Sequence, residues 1–393
     1  MATIVVVDPF NRSASHAPFN SAFLEVVRAA YPDDRLIFAA EPGHLEAVAE
    51  LVDDSIDTET VAIEPAPRTA GFWSRLPREI KNLRIALNRC PEGPIVLIVC
   101  DITPATLYAI RWVLGSWSRR VRTALCILHS NANEIVAWRA RNPLTRLRQL
   151  REAILRTLHP NLHYLVLEEV IRKTLLRELP ELAGALHGLA HPIASSEPAA
   201  YAGLVAPGQC EPPVQVCFLG AATERKGFGT FLRIARRVAS GSDGAIRFHA
   251  LGWRPESEPD EDLGVLTTLP QTTYLPREEF RRKLARMHYV VLTLPPEIYG
   301  LSASGTLMDA IAAGKPVLAL RARMLEEIFN STNEPAGFLF DSEADLAGYL
   351  LSLYRIEGLS ETWLRQAAAM RTLRATRMSS ELASELKRIL SRR

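Results

Sequence analysis

The chain has 393 residues, of which 48% are hydrophobic and 23% are charged, and its net charge at pH 7 is +2. This length is typical of two domains with sizeable cores, and the small net charge indicates no particular kind of partner. No apolar stretch approaches the roughly 20 residues that a membrane-spanning helix needs. The N-terminus has neither the basic start nor the cleavage site of a signal peptide. We therefore expect a globular cytoplasmic protein.

The cysteines favour a reduced protein without a zinc site. Their number, five, is odd, and three of them lie in or beside apolar runs that resemble strands. No Cys/His spacing is typical of zinc ligands. We expect reduced cysteines buried as small hydrophobic side chains and no bound metal. The cysteines are Cys90, Cys100, Cys126, Cys210 and Cys217.

In the N-terminal half, short apolar runs alternate with segments of helical spacing, which predicts a parallel sheet with helices on both faces. The strand-like runs are Ile4–Val7, Leu36–Ala39, Ile95–Val99, Ala124–Leu128 and Tyr164–Leu167. Ligands of such sheets bind at the carboxyl ends of the strands. The loops that follow these runs, at residues 8–16, at Asp101 and at residues 129–134, are therefore candidate ligand contacts.

Two segments of the N-terminal half, residues 68–89 and 138–156, combine many arginines with apolar residues at helical spacing. Such segments can lie on an anionic membrane surface. The alternative is a set of core-facing helices whose basic sides are solvated. Nucleic acid is not expected as a partner, because no set of stacking aromatic residues accompanies the charge. Residues 194–213 have the composition of a linker, so we predict domains at 1–205 and 206–393.

The C-terminal half contains two strand–loop–helix units. In the first, the strand Val214–Leu219 is followed by a loop with Gly220, Arg225 and Lys226, and then by a helix over Phe228–Ala239. Two cations on a short loop suit a diphosphate, because lysine supplies a point charge and arginine a bidentate fork.

In the second unit, the strand Val290–Leu294 is followed by a small-residue loop and by a helix over Leu307–Ala313. The N–H groups at the start of such a helix can bind an anion, and we expect those of Ser304, Gly305 and Thr306 to do so. Asp309 lies about one turn inside the helix, where it could reach a sugar hydroxyl beside a bound phosphate. The alternative is that Asp309 serves only its own helix.

Together these units resemble the C-terminal half of retaining GT-B glycosyltransferases of the family 4 type. The resemblance lies in Gly220 followed at the family's spacing by Lys226-Gly227, and in Asp309-Ala310-Ile311-Ala312-Ala313-Gly314-Lys315-Pro316-Val317. It extends over about residues 214–355. It implies an α/β protein with two Rossmann-like, doubly wound parallel-sheet domains facing a central cleft. The N-terminal domain would bind the acceptor, the C-terminal domain the donor, and the final helices would pack back on the first domain.

The resemblance also implies a function: transfer of a sugar from a nucleotide-diphosphate sugar, UDP- or GDP-linked, to a hydroxyl of a glycan or lipid-linked glycan. Transfer would need no metal or other cofactor and would retain the anomeric configuration. Gly220, Arg225, Lys226 and the N–H groups of residues 304–306 would bind the diphosphate, and Asp309 would hold the ribose. His129, at the end of a strand, would reach the reacting centre, although it could equally be a structural loop histidine. Contacts to the acceptor are expected from Ser13, His16, Asn131 and Asn133.

This chain departs from the family pattern at two positions. Ala221 stands where the family usually has an arginine, and Arg225 could take over its role. Leu301 stands near the place of the first of two family acids, and the nearest carboxylate is Glu297. Either Glu297 touches the donor sugar, as a catalytic residue, or this contact is absent. These departures leave two other hypotheses open. One is a nucleotide-sugar epimerase on the same fold, and the other is a non-catalytic binding or scaffold protein.

Overall fold

The computed structural model describes residues 2–53, 55–67, 69–117, 120–129, 131–136, 140–258, 262–295 and 300–391. The chain divides into two compact units. The first contains Met1–Ser196, Leu301–Ala303 and Arg377–Arg393, and the second contains Glu197–Gly300 and Ser304–Thr376. Part of the segment predicted to be a linker, Ser196–Ala202, is a helix. The domain bounds 1–205 and 206–393 stay a prediction.

The first unit is built on a seven-stranded, parallel sheet with the order β3-β2-β1-β4-β5-β6-β7. The five predicted strands are present. The two that were not predicted are short, and one of them alternates between exposed and buried residues while the other contains a glycine. The strands are β1 (Thr3–Val7), β2 (Arg35–Ala40), β3 (Glu59–Ala62), β4 (Ile95–Cys100), β5 (Val121–Leu128), β6 (Leu162–Leu167) and β7 (Leu186–Leu189).

The helices of the first unit cover this sheet, and the last of them, Ser379–Ser391, packs against Ala17–Ala30. The basic segment at 138–156 was treated as one amphipathic stretch, but its described part forms two short helices, Pro143–Arg146, which Asn142 caps, and Leu150–Thr157. The helices are Ala17–Ala30, Pro42–Ala49, Phe72–Asn88, Pro104–Ser116, Asn133–Val136, Pro143–Arg146, Leu150–Thr157, Glu169–Glu178, the 3-10 turn Pro180–Leu182 and Ser379–Ser391.

The second unit repeats the same permutation in a six-stranded, parallel sheet with the order β10-β9-β8-β11-β12-β13. In both sheets the direction of winding reverses beside the first strand of the unit, between β1 and β4 and between β8 and β11. Ligands of doubly wound sheets bind at this switch point. The strands are β8 (Val214–Leu219), β9 (Ile246–Leu251), β10 (Leu266–Thr268), β11 (Tyr289–Leu292), β12 (Val317–Leu320) and β13 (Gly337–Phe340).

The core of the second unit forms where the helix Phe228–Ala239 lays its apolar face on the sheet. Phe228 and Phe231 are almost fully buried and contact Phe218 of β8. The helices of this unit are Ser196–Ala202, Phe228–Ala239, Arg277–Ala285, Gly305–Ala312, Arg323–Phe329, Glu343–Leu353 and Leu359–Ala375, and the 3-10 turn is Glu224–Lys226.

Two sequence expectations concern the whole chain. All five cysteines are buried and none forms a disulfide. Within the described ranges, no helix combines the length and apolar character that crossing a membrane requires.

The carboxyl ends of β8 and β9 approach each other so closely that Gly252 has no room for a side chain. A Cβ atom at this position would lie 1.9 Å from the carbonyl oxygen of Gly220. We expect Gly252→Ala to lower the free energy of unfolding by about 1–3 kcal/mol, the usual cost of overpacking, in urea denaturation followed by circular dichroism.

The matched control is Gly348→Ala, in the helix Glu343–Leu353, where an added Cβ meets nothing within 4 Å. Alanine is the better helix former, so this variant should be stabilised by about 0.5–1 kcal/mol. Equal effects of the two substitutions would contradict the close approach at Gly252.

Candidate functional site

The two predicted donor loops meet at the switch point of the second sheet. Gly220 follows β8, and a Cβ atom on it would lie 2.9 Å from Cγ2 of Thr306, at the start of the helix after β11. On the other side of the loop, the Thr293 hydroxyl donates a 2.7 Å hydrogen bond to the carbonyl oxygen of Gly227. The turn that carries Arg225 and Lys226 is therefore attached to the end of β11.

Gly227 permits this attachment because of its backbone. Its φ is +77°, in the left-handed region that favours glycine, and a Cβ atom there would lie 1.9 Å from the carbonyl oxygen of Thr293. The sequence reasoning used this glycine as a family landmark, and the structure supplies the physical reason for it.

The helix Gly305–Ala312 begins at this junction. The Ser304 hydroxyl caps it by accepting from the Leu307 N–H at 3.3 Å, and lies 2.8 Å from the Thr306 hydroxyl. The N–H groups of Gly305 and Thr306, at the first helical positions, have no acceptor within the helix, so they could bind an anion at its positive end.

Lys226 lies beside this helix start and is electrostatically coupled to it. The pKa of Lys226 is lowered to about 8, mainly by burial and also by Arg225, while Asp309 acts in the opposite direction. Asp309 and Lys226 are therefore close enough to interact. Arg225 itself is exposed. The structure thus brings together Gly220, Lys226, the helix start and Asp309.

Asp309 is held by an arginine to which the sequence reasoning gave no role. Its Oδ1 accepts from Nη1 of Arg277 at 2.8 Å, and Nη2 of Arg277 donates to Oε1 of Glu197 at 2.9 Å. Glu197 is buried, and a second arginine, Arg281, also donates to it. No sequence signal identified Glu197, since it lies in a segment with the composition of a linker.

The electrostatics of this group follow from burial and pairing. Burial opposes ionisation of Glu197, but Arg277 and Arg281 outweigh it and hold the pKa of that carboxyl below its usual value. Burial raises the pKa of Asp309, and Arg277 acts against that rise. Burial would lower the pKa of Arg277, but Asp309 and Glu197 raise it above its usual value. Arg277 therefore stays charged between two acids.

In the first unit, Asp8 organises the loop that follows β1. This fully buried carboxylate accepts from the N–H groups of Phe10 and Asn11 at 3.0 and 2.8 Å and from the side-chain amides of Asn11 and Asn20 at 3.0 and 2.6 Å. The Asp8 carboxylate therefore contacts its own loop, and the expected ligand contacts of residues 8–16 stay a prediction.

His44 extends the same network to the predicted acceptor loop. Its Nδ1 lies 2.7 Å from the carbonyl oxygen of Ser13, and its Nε2 lies 2.7 Å from Nδ2 of Asn20. Nδ1–H therefore donates to Ser13, and Nε2 accepts from Asn20. Sequence reasoning missed Asn20 and His44, because each lies inside a helix far from the strand end in sequence.

The predicted catalytic and acceptor histidines lie next to each other. The rings of His16 and His129 are 4.3 Å apart, and Phe19 packs against His129 at 4.5 Å. The amide of Asn131 donates to the carbonyl oxygen of Ile102, after β4, and Asn133 begins the short helix Asn133–Val136. The roles of these residues, and of Ser13, stay predictions.

Two further predictions concern the donor loop and metal ions. Glu297 lies outside the described residues, so its catalytic role stays a prediction. Within the described ranges, no three His, Cys, Asp or Glu side chains are grouped so that they could hold a metal ion.

The arrangement of two doubly wound parallel sheets is that of GT-B glycosyltransferases, as solved structures show. A glycosyltransferase from Rickettsia africae ESF-5 aligns over 100% of this chain and 99% of its own, with a TM-score of 0.67 at 13% identity. A variant of S. aureus TarM, crystallised with Fondaparinux, alpha-GlcNAc-glycerol and UDP, aligns over 99% and 100% with a TM-score of 0.66 at 10% identity. WaaG, a glycosyltransferase involved in lipopolysaccharide biosynthesis, aligns over 100% of both chains with a TM-score of 0.61 at 12% identity.

At the level of sequence, residues 213–355 match the model of the family Glycosyl transferases group 1. No curated protein sequence matches the chain significantly. The matched range covers the donor loops, from the strand before Gly220 to the helix after β13. Within this range the second unit therefore resembles the Glycosyl transferases group 1 family.

We expect Asp8→Asn to destabilise the first unit, because the substitution removes a buried charge that four N–H groups use and places an amide among donors. The free energy of unfolding should fall by about 3 kcal/mol, measured by urea denaturation. The control is Asp33→Asn, at an exposed carboxylate, which should leave the transition unchanged. An Asp8→Asn transition that coincides with the wild-type one would contradict the network.

Proposed function

We propose that this protein is a glycosyltransferase that moves a sugar from a nucleotide-diphosphate sugar to a hydroxyl group. The observation that carries the proposal is the convergence of Lys226, the start of the helix Gly305–Ala312 and Asp309 at the switch point of the second sheet. This convergence lies inside the range that matches the glycosyltransferase family. Each element suits one part of the donor: two anion-binding groups for the diphosphate, and a carboxylate for the ribose.

The chemistry that this site would assist is departure of the nucleoside diphosphate. The bond between the sugar carbon and the phosphate oxygen breaks while the bond to the acceptor oxygen forms, so charge grows on the leaving diphosphate. Lys226, Arg225 and the N–H groups of residues 304–306 would stabilise that charge in a partly dry site. In the retaining course that we propose, the acceptor proton passes to a donor phosphate oxygen, and no metal ion takes part.

For the acceptor, we propose a hydroxyl of a glycan or of a lipid-linked glycan, bound by the first unit near His129 and His16. The contact between these two rings places a predicted catalytic side chain beside a predicted acceptor-binding one. Two solved structures of the same fold support this class, since one holds UDP with alpha-GlcNAc-glycerol and the other acts in lipopolysaccharide biosynthesis.

The first test is nucleotide binding. We expect UDP or GDP to bind in the presence of EDTA and Lys226→Ala to weaken that binding by about 10- to 100-fold, since a charged hydrogen bond is lost. Isothermal titration calorimetry measures both. The control is Lys283→Ala, a helix lysine that pairs with Glu279, which should bind as the wild type does.

The pKa of Lys226 adds a pH dependence. Its folded-state pKa of about 8 lies below the usual value, so the free protein loses this charge as the pH rises through about 8. The diphosphate needs the protonated form, and affinity should therefore fall by up to about tenfold per pH unit above that point. Lys226→Arg should remove the fall. Undiminished affinity at pH 9.5 in the wild type, or in Lys226→Ala at any pH, would place the phosphate site elsewhere.

We also propose that the basic segments of the first unit contact an anionic membrane, with fewer charges than the sequence suggested. Arg75 and Arg78 pair with Glu79 and Glu64, and Arg146 and Arg156 both pair with Glu152. Trp73, by contrast, is 63% exposed, and the Arg148 guanidinium lies 5.7 Å from its ring, which joins the two segments. Arg68 and Arg139 lie outside the described residues.

Co-sedimentation tests this contact. The wild type should bind vesicles rich in phosphatidylserine, less so as salt rises, and Trp73→Ser should bind about five- to tenfold more weakly because an apolar anchor is lost. Leu364→Ser, which removes an exposed side chain of the second unit, is the control. Equal binding to neutral vesicles, or binding that salt does not weaken, would argue against a charged membrane contact.

A further inference from the structure

Asp309 belongs to a chain of charged side chains that begins outside the donor loops. We use the term Asp309 strut for Glu197, Arg277 and Asp309. Arg277 bridges the two acids through different nitrogen atoms, Nη1 to Asp309 at 2.8 Å and Nη2 to Glu197 at 2.9 Å. Because the guanidinium group is planar and rigid, both contacts together fix its orientation.

The far end of the strut is held firmly. Glu197 is only 5% exposed, and Arg281 donates to both of its oxygens, at 3.2 and 2.7 Å. The Arg277 guanidinium also lies 5.2 Å from the ring of Phe280. A buried carboxylate held by two arginines is a fixed point, so Arg277 can transmit that position to Asp309.

The other end of the strut, the Asp309 carboxylate, can still contact a ligand. Arg277 donates to Oδ1 of Asp309, and the Asp309 side chain is still 22% exposed. One carboxylate oxygen is therefore occupied by the protein, and the other can accept from a ligand hydroxyl. Since Arg277 also opposes the rise that burial causes in the pKa of this carboxyl, it keeps Asp309 an acceptor.

We propose that Arg277 is a positioning residue, which, braced by Glu197, aims the second oxygen of Asp309 at a ribose hydroxyl of the nucleoside diphosphate. The inference rests on the proposed function, because it needs a nucleotide at this site. Arg277 itself does not touch the nucleotide. With Arg277 in place, the Asp309 carboxylate points at the ribose. Without Arg277, this carboxylate would be free to rotate or to take up a proton.

The experiment compares ribose with 2′-deoxyribose and 3′-deoxyribose ligands. Calorimetric titrations use UDP and GDP, and then the 2′-deoxy and 3′-deoxy forms of whichever binds. The wild type should prefer the ribose form over at least one deoxy form by about 10-fold or more, the value of a hydrogen bond to a charged group. In Arg277→Gln this preference should fall below about 3-fold, while most of the diphosphate contribution to affinity remains.

Arg282→Gln is the matched control, because Arg282 is an exposed arginine of the same helix. It should keep the preference, whereas a general effect of removing one positive charge from this helix would make the two variants alike. Arg277→Lys keeps the charge but not the fork, and it should restore folding without restoring the full preference. Thermal melting of each variant checks the fold.

The outcomes separate the inference from the proposed function. If the wild type binds no nucleoside diphosphate, the proposed function fails and the inference with it. If the wild type binds but does not distinguish any ribose form from its deoxy counterpart, or if Arg277→Gln keeps the preference, the positioning role is wrong while the function stands. Tighter binding in Arg277→Gln would show that Arg277 competes with the ribose, which also overturns the inference.

Discussion

The candidate site depends on one backbone contact, the approach of the Lys226-Gly227 turn to the end of β11. Thr293 donates to the carbonyl oxygen of Gly227, and the left-handed backbone of that glycine leaves no room for a side chain. Without this contact the turn would be an ordinary surface loop on the helix side of β8. With it, the lysine of one strand–loop–helix unit lies beside the helix start of the other. Because ligands of doubly wound sheets bind at the switch point, this contact holds both loops at the place where a ligand would bind.

Burial then influences the pKa values, and so the charge states, of the ionisable groups of the site. A buried cation is costly unless an acid lies nearby, and the two cations here meet this requirement differently. Arg277 is placed between two carboxylates and stays charged, whereas burial lowers the pKa of Lys226 to about 8, with Asp309 only partly opposing the shift. A bound diphosphate would add negative charge beside Lys226 and would raise its pKa again. Arg277 already donates to two carboxylates of the protein, which suits a residue that positions Asp309 rather than binding the ligand itself.

The sequence predicted the parts of this protein that follow from local pattern. Apolar runs predicted β1, β2, β4, β5, β6 and β8, and the spacing of glycine, lysine and aspartate predicted which loops would meet. It did not predict the residues that act through long-range pairing. Glu197 lies in a segment that looked like a linker, and the sequence analysis gave Arg277 no role. His44 lies 36 positions from Asp8, a separation that no local pattern can bridge. The strands β3 and β7 were missed because neither is a continuous apolar run: β3 alternates between exposed and buried residues, and β7 contains a histidine and a glycine.

The two sheets have the same permutation but hold their switch-point loops by different means. In the second unit, glycines let backbones approach directly, so the loop can carry exposed cations and N–H groups toward a ligand. The first unit has no glycine in residues 8–16, and a buried carboxylate holds its loop instead. Asp8 binds the N–H groups of that loop, and His44 ties Ser13 to the same network. A loop that is satisfied internally has few backbone donors left for phosphate. This difference supports the proposal that the diphosphate binds to the second unit, whereas the first unit would present side chains such as His16 and His129 to a neutral, hydroxyl-bearing acceptor.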